Sequence, residues 1–107
     1  MTDSLDRLYE GVLAAKGSDP VVSRTARLLR AGRAKSGKKL AEEAVEVVIA
    51  AMHGERDAVV RESADLIYHL VVLWRECGVA PDEVFEEMRE RAKLLGIAEK
   101  LPKQPKG

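Results

Sequence analysis

Four carboxylates occur as two pairs with one spacing, Glu43-Ala-Val-Glu46 and Glu62-Ser-Ala-Asp65. A separation of i, i+3 puts both members of a pair on one face of a helix. Two such helices folded back as a hairpin bring all four acids to one small volume. Like charges at close range repel and raise each other's pKa, so a cluster of this kind needs a partner. A hard divalent cation, which takes oxygen ligands, is the usual one. Glu43, Glu46, Glu62 and Asp65 are therefore candidate metal ligands, and the chain is a candidate metal-dependent enzyme.

Helical phase tests that reading. At 100° per residue, Lys39, Glu42, Glu46 and His53 fall within about 100° of one another beside Glu43. Leu40, Ala44, Val45, Val47, Val48, Ile49, Ala51 and Met52 cover the rest of that helix. A narrow polar stripe on a wide apolar helix is also what a solvent face looks like. Two features favour a cleft or a subunit interface instead. The apolar arc is wider than one flank of a small monomer needs, and the stripe is rich in acids where a solvating face mixes in Lys or Arg at i+4. Glu62, Asp65 and His69 repeat the pattern within about 60°, with Leu66 and Leu73 beside them. His69, one turn beyond an acid, reads best as a hydrogen-bonding partner behind the acids. The run Leu70-Val71-Val72-Leu73-Trp74 reads as core or dimer interface.

The elements that position these residues are all helical. Leu5, Leu8, Tyr9, Val12 and Leu13 predict a helix over 3–16, ended by Gly17. Ser18-Asp19-Pro20 predicts the start of a second, with Pro20 at its first position, running to Ala31 with Thr25, Leu28 and Leu29 inward. Gly32 to Gly37 reads as a flexible loop. A long helix is expected over 38–53 and stopped by Gly54, and another over 57–77, closed by Gly78. Ala80-Pro81-Asp82-Glu83 opens a last helix, running to about Leu95. Residues 1–95 then form a single all-α domain, an up-and-down bundle of four to five helices completed by homodimerisation. The tail 96–107, with Pro102, Pro105 and three lysines, is expected to be partly mobile.

Composition narrows the function. Of 107 residues, 34% are charged and 4% aromatic, a mix that favours helix. No apolar run is long enough to span a membrane, and Met1-Thr2-Asp3-Ser4 is not expected to open a secretory signal. Cys77, the single cysteine, reads as a partly buried helix-end thiol and fits a reducing cytoplasm. Net charge is zero, but Arg24, Arg27, Arg30, Arg33, Lys35, Lys38 and Lys39 precede Glu42, Glu43 and Glu46 without an intervening acid. A basic arm leading into an acidic cluster suits a polyphosphate ligand held through metal, with the cations on its outer phosphates. That adjacency argues against nucleic acid as a partner.

The stretches Lys38-Lys39-Leu40-Ala41-Glu42-Glu43-Ala44-Val45-Glu46-Val47-Val48-Ile49-Ala50-Ala51 and Glu62-Ser63-Ala64-Asp65-Leu66-Ile67-Tyr68-His69-Leu70-Val71-Val72-Leu73 resemble the phosphoribosyl-ATP pyrophosphatase family. That family belongs to the all-α nucleotide pyrophosphohydrolases, the MazG-like group. The resemblance covers about residues 5–95. It implies a dimeric helical bundle and Mg2+-dependent cleavage of the α–β phosphoanhydride of 1-(5-phospho-β-D-ribosyl)-ATP, an early step of histidine biosynthesis. It implies Glu43, Glu46, Glu62 and Asp65 as metal-binding acids and Glu42 as an adjacent acid that orients water or joins the metal. Glu42, Glu43 and Glu46 are then the catalytic set. Ser23, Thr25, Arg27, Lys38, Lys39 and His69 are expected to bind the nucleotide substrate. Family members often carry Ser-Tyr-Thr where this chain has Ser23-Arg24-Thr25, and Val-Gly where it has Leu40-Ala41; the first bears on substrate contacts. The sequence carries no cyclohydrolase segment, so the next step is expected of a separate protein. Two rivals follow: a house-cleaning nucleoside triphosphate pyrophosphohydrolase with another base pocket, and a non-catalytic helical interaction module.

Overall fold

The computed structural model describes residues 2–20 and 23–100, apart from the side chains of residues 2, 3 and 96–100. Within them the chain forms five helices and no strand: α1 (Thr2–Ala15), α2 (Arg24–Ala31), α3 (Arg33–Met52), α4 (Arg56–Glu76) and α5 (Pro81–Lys100). The all-α expectation holds. The seven C-terminal residues of the expected tail, 101–107, lie outside the described residues.

Local chemistry sets the boundaries. Gly54 takes φ 69, a left-handed value that costs an L-residue but not glycine. Its N–H donates to the Ala51 carbonyl and that of Glu55 to the Ala50 carbonyl, the paired bonds of a Schellman turn. Gly78 ends α4 the same way, with Gly78 to Arg75 and Val79 to Trp74. At the start of α5 the Ala80 N–H donates to Glu83 Oε2 at 2.9 Å, so the expected acidic first turn also caps the backbone.

Two expected boundaries are corrected. The second helix starts at Arg24, not Pro20, because Ser23 is its N-cap: extended at φ −117, it accepts from the Ala26 N–H. Ser23→Ala is expected to cost about 1 kcal/mol in urea unfolding, with Ser23→Asp neutral. Unchanged stability with a raised KM would instead return this hydroxyl to the substrate. The expected loop over Gly32–Gly37 is helix from Arg33 onward. Gly32 at φ 92 is the whole junction, closing α2 through its N–H on Leu28 and opening α3 through its carbonyl to Ser36. Gly37 inside a helix costs only about 1 kcal/mol, and the fully buried Ser36 anchors this turn to the rest of the fold.

The core sits where α1 and α2 cross α4. Val12, Leu28, Val71 and Val72 are buried there, with Leu5, Leu8, Tyr9, Leu29, Tyr68 and Trp74 packed around them. Each fully buried valine contributes about 1.5–3 kcal/mol. α3 and α4 form an antiparallel hairpin that is the most extensive contact of the fold, whereas α5 touches α1 only lightly. The radius of gyration is 17.1 Å, against about 13 Å for a compact chain of 100 residues. Cys77 is exposed at the end of α4, not partly buried as expected. No helix among the described residues is long and apolar enough to cross a membrane.

Candidate active site

The hairpin is centred on Gly54, and its register decides which side chains meet. Glu46 and Glu62 lie eight residues before and after that glycine, Glu43 and Asp65 eleven, Lys39 and His69 fifteen. Each pair is therefore level on the two antiparallel helices. Carboxylate oxygens of Glu43, Glu62 and Asp65 all come within 4.8 Å of one another. All three residues are partly buried, and none makes an ion pair among the described residues.

The electrostatics match this crowding. The Glu62 carboxyl is held above the ordinary carboxylate range, first by partial burial and then by the charges of Glu43, Asp65 and Glu46; Arg61 opposes them. Glu46 is exposed and stands outside the three-oxygen group, though its charge acts on it. Glu42 is exposed and pairs with Lys39 at 3.7 Å.

The donor set fits a hard cation. Oxygen-only ligands with three negative charges suit a cation such as Mg2+.

One turn along the hairpin the charge reverses. A cavity of about 360 Å³ is lined by Arg24, Arg27, Lys35, Lys39 and His69, with Leu28 and Ala31. His69 is fully buried. Arg24 Nη2 donates to its Nε2 at 3.2 Å. A guanidinium has only donors, so His69 is the neutral tautomer with its proton on Nδ1. The Arg24 guanidinium also lies 5.4 Å from the centre of the Tyr68 ring, and the Tyr68 hydroxyl meets Thr25 Oγ1 at 2.6 Å.

Of the expected substrate residues, Arg27, Lys39 and His69 line this cavity. Thr25 and Ser23 stand behind it, one bonded to Tyr68 and one capping α2. Lys38 is exposed and outside the lining. Arg24 and Lys35, expected as members of the basic arm but not named individually as substrate residues, line it as well. A larger cavity of about 550 Å³, between the ends of α1 and α4, holds none of the expected residues.

His69 gives the fold a pH signature. Burial is the largest cause holding it below its ordinary 6.5, Arg24 and Lys39 add to the effect, and Asp65 opposes it. The unfolded chain binds the extra proton first, so this contribution is present above pH 6.5 and is lost as pH falls through the lower folded value. Glu62 carries the opposite sign: its contribution is full below its ordinary 4.5 and is lost as pH rises through the raised value. His69→Asn is expected to flatten the acid-side loss of stability in metal-free protein, read from melts between about pH 5 and pH 7.5. An unchanged slope would assign that loss to other groups.

Residues 5–92 match the sequence model of the family described as phosphoribosyl-ATP pyrophosphohydrolase. The chain belongs to that family. Phosphoribosyl-ATP pyrophosphatase 2 of Rhodopseudomonas palustris is 65% identical over 103 residues, covering 96% of this chain and 79% of that protein. Its counterpart in Bradyrhizobium diazoefficiens is 63% identical over 103 residues, covering 96% and 77%. Phosphoribosyl-ATP pyrophosphatase of Rhizorhabdus wittichii is 46% identical over the whole length of both chains. In this member of the phosphoribosyl-ATP pyrophosphohydrolase family, the α3–α4 hairpin carries the acids, and α2 and the first half of α3 add the cations beside them.

Proposed function

We propose that the phosphoribosyl-ATP pyrophosphohydrolase activity of this chain runs on Mg2+ held by Glu43, Glu62 and Asp65, with Glu46 completing the acidic set. The observation that carries this reading is the convergence of three carboxylates, without ion-pair partners among the described residues, from two antiparallel helices next to a cationic cavity. The reaction is hydrolysis of 1-(5-phospho-β-D-ribosyl)-ATP to the AMP derivative and pyrophosphate, in histidine biosynthesis. Bound there, Mg2+ supplies neutralisation of phosphate charge and a more acidic water.

The chain's own residues do the rest. Glu46, exposed and close enough to Glu62 for its charge to act on it, takes the proton of the attacking water in this reading. Glu42 is steered by Lys39, which also offers a positive charge to the phosphates. Arg27 and His69 shape the cavity next to the reacting bond, and Thr25 fixes Tyr68 behind it.

The protein works as a homodimer in the cytoplasm. Val45, Val48, Ile49 and Met52 of α3 are exposed by 45–80% at i, i+3, i+4, i+7, the spacing of a buried helix face. Val60 and Ile67 of α4 are also exposed. The extended shape supports the same assignment.

Steady-state assays test the substrate. Phosphoribosyl-ATP is expected to be turned over at least a hundredfold more efficiently than common dNTPs, a gap of about 2.7 kcal/mol. Comparable turnover of dNTPs with none of phosphoribosyl-ATP would assign the chain to house-cleaning chemistry instead. No activity on either, with no Mg2+ bound, would leave a helical interaction module.

A further inference from the structure

The cationic cavity lies at the Lys39–His69 level of the hairpin, four residues from the Glu43–Asp65 level on both helices. At 1.5 Å per residue that is about 6 Å, the reach of the next phosphates along a triphosphate from its scissile bond. The phosphoribosyl phosphate is attached through the adenine ring, at the far end of the substrate. Four cations and a neutral histidine line the cavity, and no acid among the described residues does.

We infer that this cavity seats the pyrophosphate end of the substrate, the β- and γ-phosphates, with Arg24 and Lys35 as binding residues beside Arg27 and Lys39. The assignment rests on the pyrophosphohydrolase reading above and adds which end of the substrate lies where.

Arg24 is built for the task. Its bond to His69 and its seat on the Tyr68 ring hold the guanidinium in place, and that bond uses a single N–H of five. A guanidinium fixed in advance grips a phosphate as a fork and loses little freedom on binding. His69 is fully buried, and its Nδ1 has no partner among the described residues. As water attacks the α-phosphorus, the bond to the bridging oxygen breaks and its electron pair leaves with the pyrophosphate. The charge that develops on this leaving group falls at the cationic level of the hairpin.

The test is calorimetric binding of inorganic pyrophosphate, with and without Mg2+, to wild type, Arg24→Gln and Lys35→Gln, with ribose 5-phosphate as the comparison probe. Each substitution is expected to weaken pyrophosphate binding about tenfold or more, the scale of a charged hydrogen bond, and to leave ribose 5-phosphate unaffected. Lys35 is exposed on α3, so its variant decides the matter if Arg24→Gln misfolds. Unchanged pyrophosphate binding, or a loss confined to ribose 5-phosphate, overturns the assignment. Turnover is not the readout, so a failure of the substrate reading is seen separately, in the hydrolysis assay.

Discussion

Glu43→Gln is expected to lower turnover of phosphoribosyl-ATP by about a thousandfold or more and, at the same time, to raise the melting temperature of the metal-free protein. The first effect follows from the loss of one of the three proposed Mg2+ ligands: Lewis-acid stabilisation of several kcal/mol corresponds to at least that factor. The second follows from repulsion. Glu43 is the largest charge contribution holding the Glu62 carboxyl high, and Gln keeps the shape while removing the charge. The two effects therefore separate a metal ligand from a structural residue. A variant that is inactive because it is less stable would place Glu43 in the scaffold rather than in the chemistry. Glu62→Gln should behave alike. Val45→Ala, on the opposite face of α3, should leave Mg2+ binding unchanged.

Val48→Glu is expected to convert the protein to monomers. By helical phase Val45, Val48, Ile49 and Met52 lie about 120–180° from Glu43 on α3, so the stripe turns away from Glu43 and from α4. A stable interface buries about 1,200–2,000 Å² in total, and a charge at its centre loses its water without gaining a partner. The expected weakening is at least about 2 kcal/mol, roughly thirtyfold in Kd. Sedimentation velocity of wild type and variant measures it. A monomeric wild type, or a variant that still dimerises as tightly, would contradict the assignment of this face. Because the stripe is remote from the acids, the variant should still bind Mg2+.

The acids were legible in the sequence because the information is local. Two i, i+3 pairs and a single Gly54 turn suffice to place Glu43 level with Asp65 and Glu46 level with Glu62. Helix termini with a full chemical signature, Gly54, Gly78 and Pro81-Asp82-Glu83, fell where expected. The Gly32–Gly37 segment did not, because two glycines look like a loop until the buried Ser36 shows that packing carries the helix through. Ser23 was read as a substrate contact when a cap was an equally local use of the same hydroxyl.

Arg24 was legible as one of the basic arm but not as an individual site residue, for a different reason. Its phase was available, since Arg24, Arg27, Leu28 and Ala31 share one face of α2 at i, i+3, i+4, i+7. Its partner was not: contact with His69, forty-five residues away, depends on how α2 crosses α4. The exposed α3 stripe was legible as an apolar excess, because a chain of this size cannot bury an arc that wide by itself.

The central claim is that Glu43, Glu62 and Asp65 form a divalent-cation site, and the most direct measurement is a calorimetric Mg2+ titration of wild type and Glu62→Gln without substrate. Saturable Mg2+ binding by wild type, weakened at least about tenfold in Glu62→Gln, is the predicted result. Equal binding by the two proteins, or none by wild type in the presence or absence of pyrophosphate, would contradict it.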